Sequence, residues 1–275
     1  NAAAARYGIT VIQQDPERFD VTVSAPIIEA LVARGDIDAL VTAPNDRAQS
    51  IPVLQEAFDT GIPVITVDTF IGDGNYEDGE VTFPLSYIGS DNTQGGYIAC
   101  TALADALGEG AKIYIQNVRP GISTTDQRED GCEQAAADRG LEVVRIDYND
   151  NSADTAQQQT SAVLQANPDI AGIFATNTFG ALGAGSAIEN AGLGGAVQVA
   201  LFDASEENIG YLRDGTVSLV IAQKPADMGY LGVIGQMAHA RGVTSMPERV
   251  PTGYFVFTSE NVDDPANARF IYSSN

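Results

Sequence analysis

Basic residues, histidine, cysteine and long apolar runs are all scarce in this chain of 275 residues. Fourteen Lys and Arg stand against 37 Asp and Glu, a net charge of −23. A field of that sign repels phosphate backbones and anionic headgroups, which argues against nucleic acid or a charged membrane surface as a partner. Only Lys112 and Lys224 are lysines, which fits a GC-rich genome or a saline habitat and says nothing about fold. No stretch approaches the roughly 18 apolar residues of a membrane-spanning helix. The lone histidine, His239, lies in Gly235-Gln-Met-Ala-His-Ala-Arg241. That stretch reads as a helix end, where a solvated imidazole is the simple reading. With no second histidine and no zinc-type Cys/His spacing, a transition-metal site lacks its parts, and a Ser-His-Asp triad has only His239 to draw on. No cofactor is expected. Cys100 and Cys132 permit one disulfide or two buried free thiols. If their helices share a face, a bridge closing about 32 residues would stabilise by roughly 3 kcal/mol through loop entropy. No leader sequence is visible, which fits either a cytosolic chain or a processed one.

What the chain has is rhythm. Short β-rich runs alternate with longer stretches of helical periodicity. Strands are expected at Ile9–Ile12, Ala39–Thr42, Pro63–Val67 and Tyr87–Gly89, with helices at 21–34 and 51–60. After an acidic, Gly-rich excursion at 72–79 the rhythm restarts near Ser90. Strands then follow at 112–116, 142–147, 172–175, 197–202, 218–222 and 254–258. The helices between them are expected at 93–107, 124–139, 153–166, 181–191, 205–213 and 227–241. Such alternation means α/β architecture with parallel sheets covered on both faces. Some ten strands are many for one open sheet, so two doubly wound, Rossmann-like lobes are expected. The first eight residues read as the last turns of a helix stopped by Gly8. A first strand and most of a first helix are therefore expected to be missing from the chain as given.

In open parallel sheets ligands bind beyond the carboxyl ends of the strands. Those ends carry Asp68 and Thr69, Thr176 and Asn177, Asp203, and Gln223, with Arg128 near the start of the helix after 112–116. The set holds no nucleophile–base pair and no metal cage. It holds hydrogen-bond donors and acceptors, which is what a neutral polyol needs. Helix capping is the plainer reading of any one Asp, Asn or Thr. Arg128 and Gln223 have no capping role and tilt the set towards a binding site.

These residues also carry a resemblance. It rests on Gly61-Ile-Pro-Val-Ile-Thr-Val-Asp68, Ile88-Gly-Ser-Asp-Asn-Thr-Gln-Gly-Gly96, Arg128-Glu-Asp-Gly131 and Phe174-Ala-Thr-Asn177 with Ala181-Leu-Gly-Ala184. Leu201-Phe-Asp203 and Ile221-Ala-Gln223 complete it. In that order they resemble the ribose-binding protein family, the type I periplasmic sugar-binding proteins of ABC transporters, from about Tyr7 to Thr258. The resemblance implies two lobes, 1–90 plus 224–250 and 91–223 plus 251–275, joined by three hinge crossings near Ser90, Gln223 and Pro251. It implies a monosaccharide or related polyol in the cleft, held by Asp68 from one lobe, Arg128, Asn177 and Asp203 from the other, and Gln223 at the hinge. An Asn and stacking aromatics of the family come from the first strand-to-helix loop, which is part of the expected missing segment. Two departures bear on specificity: Thr69 stands where the ribose binder has Arg, and about Asn151 stands where it has an aromatic. Phe70 or Phe179 could supply a stacking face, although a core or surface role is the plainer reading. The tail at 260–265 resembles what sugar-binding relatives carry after the last hinge strand.

The implied protein is a monomeric periplasmic or extracellular receptor, free or lipid-anchored, whose partners are an ABC transporter permease and, in a sensing role, a chemoreceptor or kinase. It would not be an enzyme. Two other readings share parts of the pattern: the effector-binding core of a lactose-repressor-type transcription regulator, and a sugar-modifying α/β enzyme. Two motifs fail on inspection. The glycines of Gly180-Ala-Leu-Gly-Ala-Gly-Ser186 fall in the order GxxGxG on a helix, so a dinucleotide turn is not supported. Asp73-Gly-Asn-Tyr-Glu-Asp-Gly-Glu80 has Asp78 where a calcium loop needs glycine and is expected to be a solvated acidic loop.

Overall fold

The computed structural model describes residues 6–272. They form two compact units, each with its own sheet. The first comprises the chain up to Ser90, then 121–124 and Lys224–Gly253; the second comprises Asp91–Pro120, 125–223 and the chain from Tyr254.

The first unit is built from helix α1 (Val21–Ala33), strand β1 (Leu40–Thr42), helix α2 (Ile51–Asp59) and strands β2 (Val64–Val67) and β3 (Ser86–Gly89). Helix α8 (Pro225–Ala240) and strand β9 (Arg249–Pro251) complete it later in the chain. Its sheet runs β1-β2-β3-β9, parallel throughout. One face packs Val53 and Leu54 of α2 with Phe70, Ile71, Tyr76 and Val81. The other packs Ile65 and Ile88 against Met228 of α8. The 72–79 excursion is therefore more than a solvated loop. Its acids Asp73, Glu77 and Asp78 are exposed, but Tyr76 is buried, its hydroxyl 2.8 Å from that of Thr66.

The second unit holds α3 (Asn92–Leu107), β4 (Lys112–Asn117), α4 (Ser123–Arg139), β5 (Glu142–Tyr148), α5 (Ala153–Ala166), β6 (Ile170–Ala175) and α6 (Thr178–Ala191). There follow β7 (Gln198–Phe202), α7 (Glu206–Arg213), β8 (Leu219–Ala222), β10 (Phe255–Phe257) and a 3-10 turn, Ala268–Phe270. Its sheet order is β10-β8-β7-β6-β4-β5, parallel except for β10, which runs against β8. Strands β7 and β8 are buried almost throughout, as a sheet covered on both faces requires. Val163, Ala184, Ile188 and Leu212 of α5, α6 and α7 cover one face, and Ala99, Leu103 and Ala135 of α3 and α4 the other. The helices start where short polar side chains cap them: Asp91 for α3, Ser152 for α5, Asn177 for α6 and Ser205 for α7.

Most expected elements are present with ends moved by one to three residues. Two are not as expected. Ile9–Ile12 forms no strand, and Val11 and Ile12 are exposed. A strand needs a ladder partner for its backbone groups, and among the described residues none pairs with this segment. Conversely β9 carries no apolar alternation, because Arg and Pro flank one Val; an edge position beside β3 tolerates that proline. Gly8 has φ +67°, as a helix stop requires, while residues 1–5 of the expected leading helix lie outside the described residues.

Candidate functional site

Four non-glycine residues among those described have positive φ: Asp68 (+60°), Asp150 (+55°), Asn151 (+61°) and Asp203 (+73°). The left-handed region costs an ordinary residue about 1–2 kcal/mol, less for Asp and Asn, and persists where surroundings enforce it. Three of the four are residues that the sequence singled out.

The two aspartates occupy equivalent places in the two units. Each directly follows a central strand, β2 or β7, and each donates its N–H to the neighbouring strand. Asp68 reaches the Ile88 carbonyl at 3.0 Å, and Asp203 the Ile221 carbonyl at 2.8 Å. That bond carries the ladder one residue past the strand, and the positive φ then redirects the chain with the carboxylate at the strand end. In the first unit the Tyr87 hydroxyl donates to the Asp68 carbonyl at 2.7 Å, and the Thr69 hydroxyl donates to the Asp68 carboxylate at 3.4 Å. Thr69 itself is buried.

The second unit holds the five remaining candidates in three hydrogen-bonded groups, centred on Asp203, Asn177 and Arg128. Asp203 is held by four donors. Its Oδ2 accepts from the Thr178 N–H at 3.1 Å and the Thr178 hydroxyl at 3.0 Å. Its Oδ1 accepts from Gln223 Nε2 at 2.9 Å and the Tyr272 hydroxyl at 3.3 Å. Next to Thr178, Asn177 does what the plain reading expected and more. Its Oδ1 caps α6 through the Gly180 N–H at 3.0 Å, while its Nδ2 donates to Asn151 Oδ1 at 2.7 Å.

Arg128 is 2% exposed. Its Nε donates to Asn92 Oδ1 at 2.9 Å and its Nη1 to the Thr176 carbonyl at 2.8 Å. The guanidinium lies 3.8 Å from the ring centre of Phe202, the residue before Asp203. Its Nη2 is buried with no partner in the protein, and no carboxylate pairs with it among the described residues. A buried cation with a spare donor is costly unless a ligand oxygen completes it.

Two glycines of the Thr93-Gln-Gly-Gly96 segment make this arrangement possible. A Cβ on Gly95 would stand 2.8 Å from the Phe202 ring, and one on Gly96 would collide with the Arg128 carbonyl. Helices α3 and α4 therefore approach backbone to backbone at Arg128. One turn further along both, Cys100 and Cys132 are joined in a disulfide with Cα atoms 5.1 Å apart, which decides between the two sequence readings. Behind Arg128, the Thr176 hydroxyl donates to Asn117 Oδ1 at 2.6 Å, and Asn117 Nδ2 donates to Glu129. Burial pushes the Glu129 carboxyl above its usual range, opposed by the bonds from Asn117 and Tyr148.

Phe70 is a core residue, buried edge-on against Tyr87, and offers no stacking face. Phe179, at 43% exposed, remains open to solvent on the first turn of α6. The sequence reading missed Asn92, Thr178 and Tyr272. Asn92 lay inside a quoted motif, and Thr178 follows a strand-end Asn, so both were within reach; nothing in the sequence marks Tyr272. No group of acids, histidines or cysteines among the described residues is arranged to hold a metal ion, and no helix among them is long and apolar enough to cross a membrane.

Comparison with known proteins shows the family. The family model described as periplasmic binding protein domain matches residues 1–242. The ribose import binding protein of Bacillus subtilis is 32% identical over 228 residues, 83% of this chain and 70% of that protein. An ABC transporter solute-binding protein from Agrobacterium vitis, solved with alpha-D-tagatopyranose, is 45% identical with TM-score 0.95, covering 99% of this chain and 92% of that one. A second from Agrobacterium vitis, solved with D-fucose, is 27% identical with TM-score 0.91, covering 98% of this chain and 92% of that one. Strand-end aspartates in two doubly wound units, and a match that runs through both, lead to one conclusion: the chain belongs to the type I periplasmic binding protein family.

Proposed function

We propose that this chain is the receptor of an ABC sugar transporter, working outside the cytoplasm as a monomer, and that it binds a neutral monosaccharide through Asp68, Thr69, Arg128, Asn151, Asn177, Asp203 and Gln223. The observation that carries the reading is Arg128, buried, lacking a carboxylate partner, and with one guanidinium nitrogen unspent. A guanidinium alone would suit an anionic ligand. Asp203 on the residue next to Phe202 opposes one, so a hydroxyl-rich neutral molecule satisfies both signs. Similar proteins solved with tagatose, fucose, arabinose and allose support that ligand class.

The mechanism needs no covalent chemistry. Asp68 and Thr69 engage the sugar from the first unit, and Arg128, Asn151, Asn177, Asp203 and Gln223 engage it from the second. A ligand that touches both units binds more tightly when they close on it, so it shifts the population towards closure. The closed form is what the permease, and a chemoreceptor or sensor in a signalling role, would read. The test is a thermal-shift screen of the chain with D-ribose, D-allose, D-arabinose, D-tagatose and D-fucose, with a sugar acid as control. A sugar at a hundred times its Kd stabilises by about 2.7 kcal/mol, a rise of several degrees. Arg128→Met should abolish that rise. A panel that leaves the wild-type transition unmoved, or moves it equally for every epimer, contradicts the proposal.

A further inference from the structure

Resting on that reading, we infer that Tyr272 is a positioning residue of the sugar site, which the C-terminal segment delivers to Asp203. The matched family model ends at residue 242, and the segment follows it. It is no loose tail. After β10, Asn261 Nδ2 donates to the Val256 carbonyl at 3.0 Å and Asn261 Oδ1 accepts from the Thr258 N–H at 2.9 Å. Val262 is buried in the core of the second unit, and the Phe270 ring stacks on Phe255 at 4.5 Å. The Tyr272 N–H then donates to the Ala204 carbonyl at 2.8 Å, laying the segment alongside the residues that follow Asp203.

From that anchorage the Tyr272 hydroxyl does two things. It accepts the Gln223 backbone N–H at 2.7 Å and donates to Asp203 Oδ1 at 3.3 Å. Gln223 and Asp203, two of the proposed ligand residues, thus share one oxygen as an orienting post. Asp203 sits at a strained φ of +73° with its carboxylate already held on the other side by Thr178. Without the hydroxyl, Oδ1 keeps only the Gln223 side-chain amide, and the Gln223 N–H loses this acceptor. A carboxylate and an amide that must be aimed at sugar hydroxyls would then have to be ordered by the ligand itself, which weakens binding.

The test uses Tyr272→Phe, which keeps the ring and its packing and removes one oxygen. Titration with the five sugars named above, at a temperature well below the transition, should show about five- to thirty-fold weaker binding of the preferred sugar. The same substitution in an Asp203→Asn background should cost much less, because the orienting bond no longer meets a carboxylate. Unchanged affinity in Tyr272→Phe overturns the inference, and so does tighter binding, which would mean that the hydroxyl competes with the sugar. Equal losses in both backgrounds overturn it too, since they would assign the effect to packing. If the wild-type chain binds none of the five, the proposed function falls and takes this inference with it. If the wild type binds and the variant is unchanged, only the inference falls.

Discussion

Breaking the Cys100–Cys132 bond should loosen the second unit by an amount that its geometry fixes. The bond closes a loop of 32 residues. Loop entropy for that length is about 12 cal/mol/K, or about 3.7 kcal/mol at 25 °C. A body of this unit's size shifts by roughly 2–4 °C per kcal/mol, so its transition should fall by about 7–15 °C. Two perturbations separate entropy from packing. Both cysteines are 0% exposed. Reduction under mild denaturant retains both sulfur atoms, whereas Cys100→Ala with Cys132→Ala also empties two small volumes in the core. Scanning calorimetry should therefore place the reduced wild type below the oxidised protein, and the double variant lower still by about 1 kcal/mol per lost sulfur. A reduced protein within about 3 °C of the oxidised one would refute the reasoning, because it would mean that the loop is already constrained when unfolded or that the thiols are not joined.

The helix pair offers a second test. Gly96→Ala sets a methyl against the Arg128 carbonyl, which only a separation of α3 from α4 can relieve. Denaturant melts should show a loss of about 1–3 kcal/mol, and titration a weaker response to sugar than Gly96→Ala would cause by destabilisation alone. Asp203→Ala leaves the Gln223 amide and the Tyr272 and Thr178 hydroxyls without their shared acceptor. Its sugar affinity should drop by about 1–3 kcal/mol for each group left unsatisfied, read by calorimetric titration. Glu129 carries a pH dependence. Burial raises its folded pKa above the unfolded value, so between the two the native state holds extra protons and stability falls as pH rises. Glu129→Gln should flatten that decline as pH rises above the ordinary glutamate range of about 4, as denaturant midpoints across the acid range would show.

Much of the architecture was legible because parallel strands buried on both faces read as unbroken apolar runs. Leu201-Phe202 and Val220-Ile221 could hardly be anything else. The helix start after Ser152 was legible for the same reason that it exists, a short side chain able to cap free N–H groups, whereas the helices expected from 93 and 181 begin at Asn92 and Thr178, behind their caps Asp91 and Asn177. Asp68 and Asp203 could be picked out because they stand immediately after such strands. Their left-handed backbone was invisible, since tertiary surroundings rather than any local pattern hold it. Ile9–Ile12 misled, because apolar β-branched residues announce a strand whether or not a partner exists to pair with. Arg249–Pro251 stayed hidden for the opposite reason: its pairing with β3 is a tertiary fact that its composition does not advertise. The Arg128 setting depended on two helices approaching at Gly95 and Gly96, and Tyr272 on a segment that returns across the unit. Contacts between positions far apart in sequence leave no local periodicity to read.

The most direct measurement is a crystal structure of the chain with whichever sugar shifts its transition most. The account predicts a sugar oxygen within about 2.7–3.2 Å of Arg128 Nη2, with Asp203 still bonded to Gln223 and Tyr272. A sugar bound elsewhere, with Arg128 Nη2 still unpartnered, would contradict it.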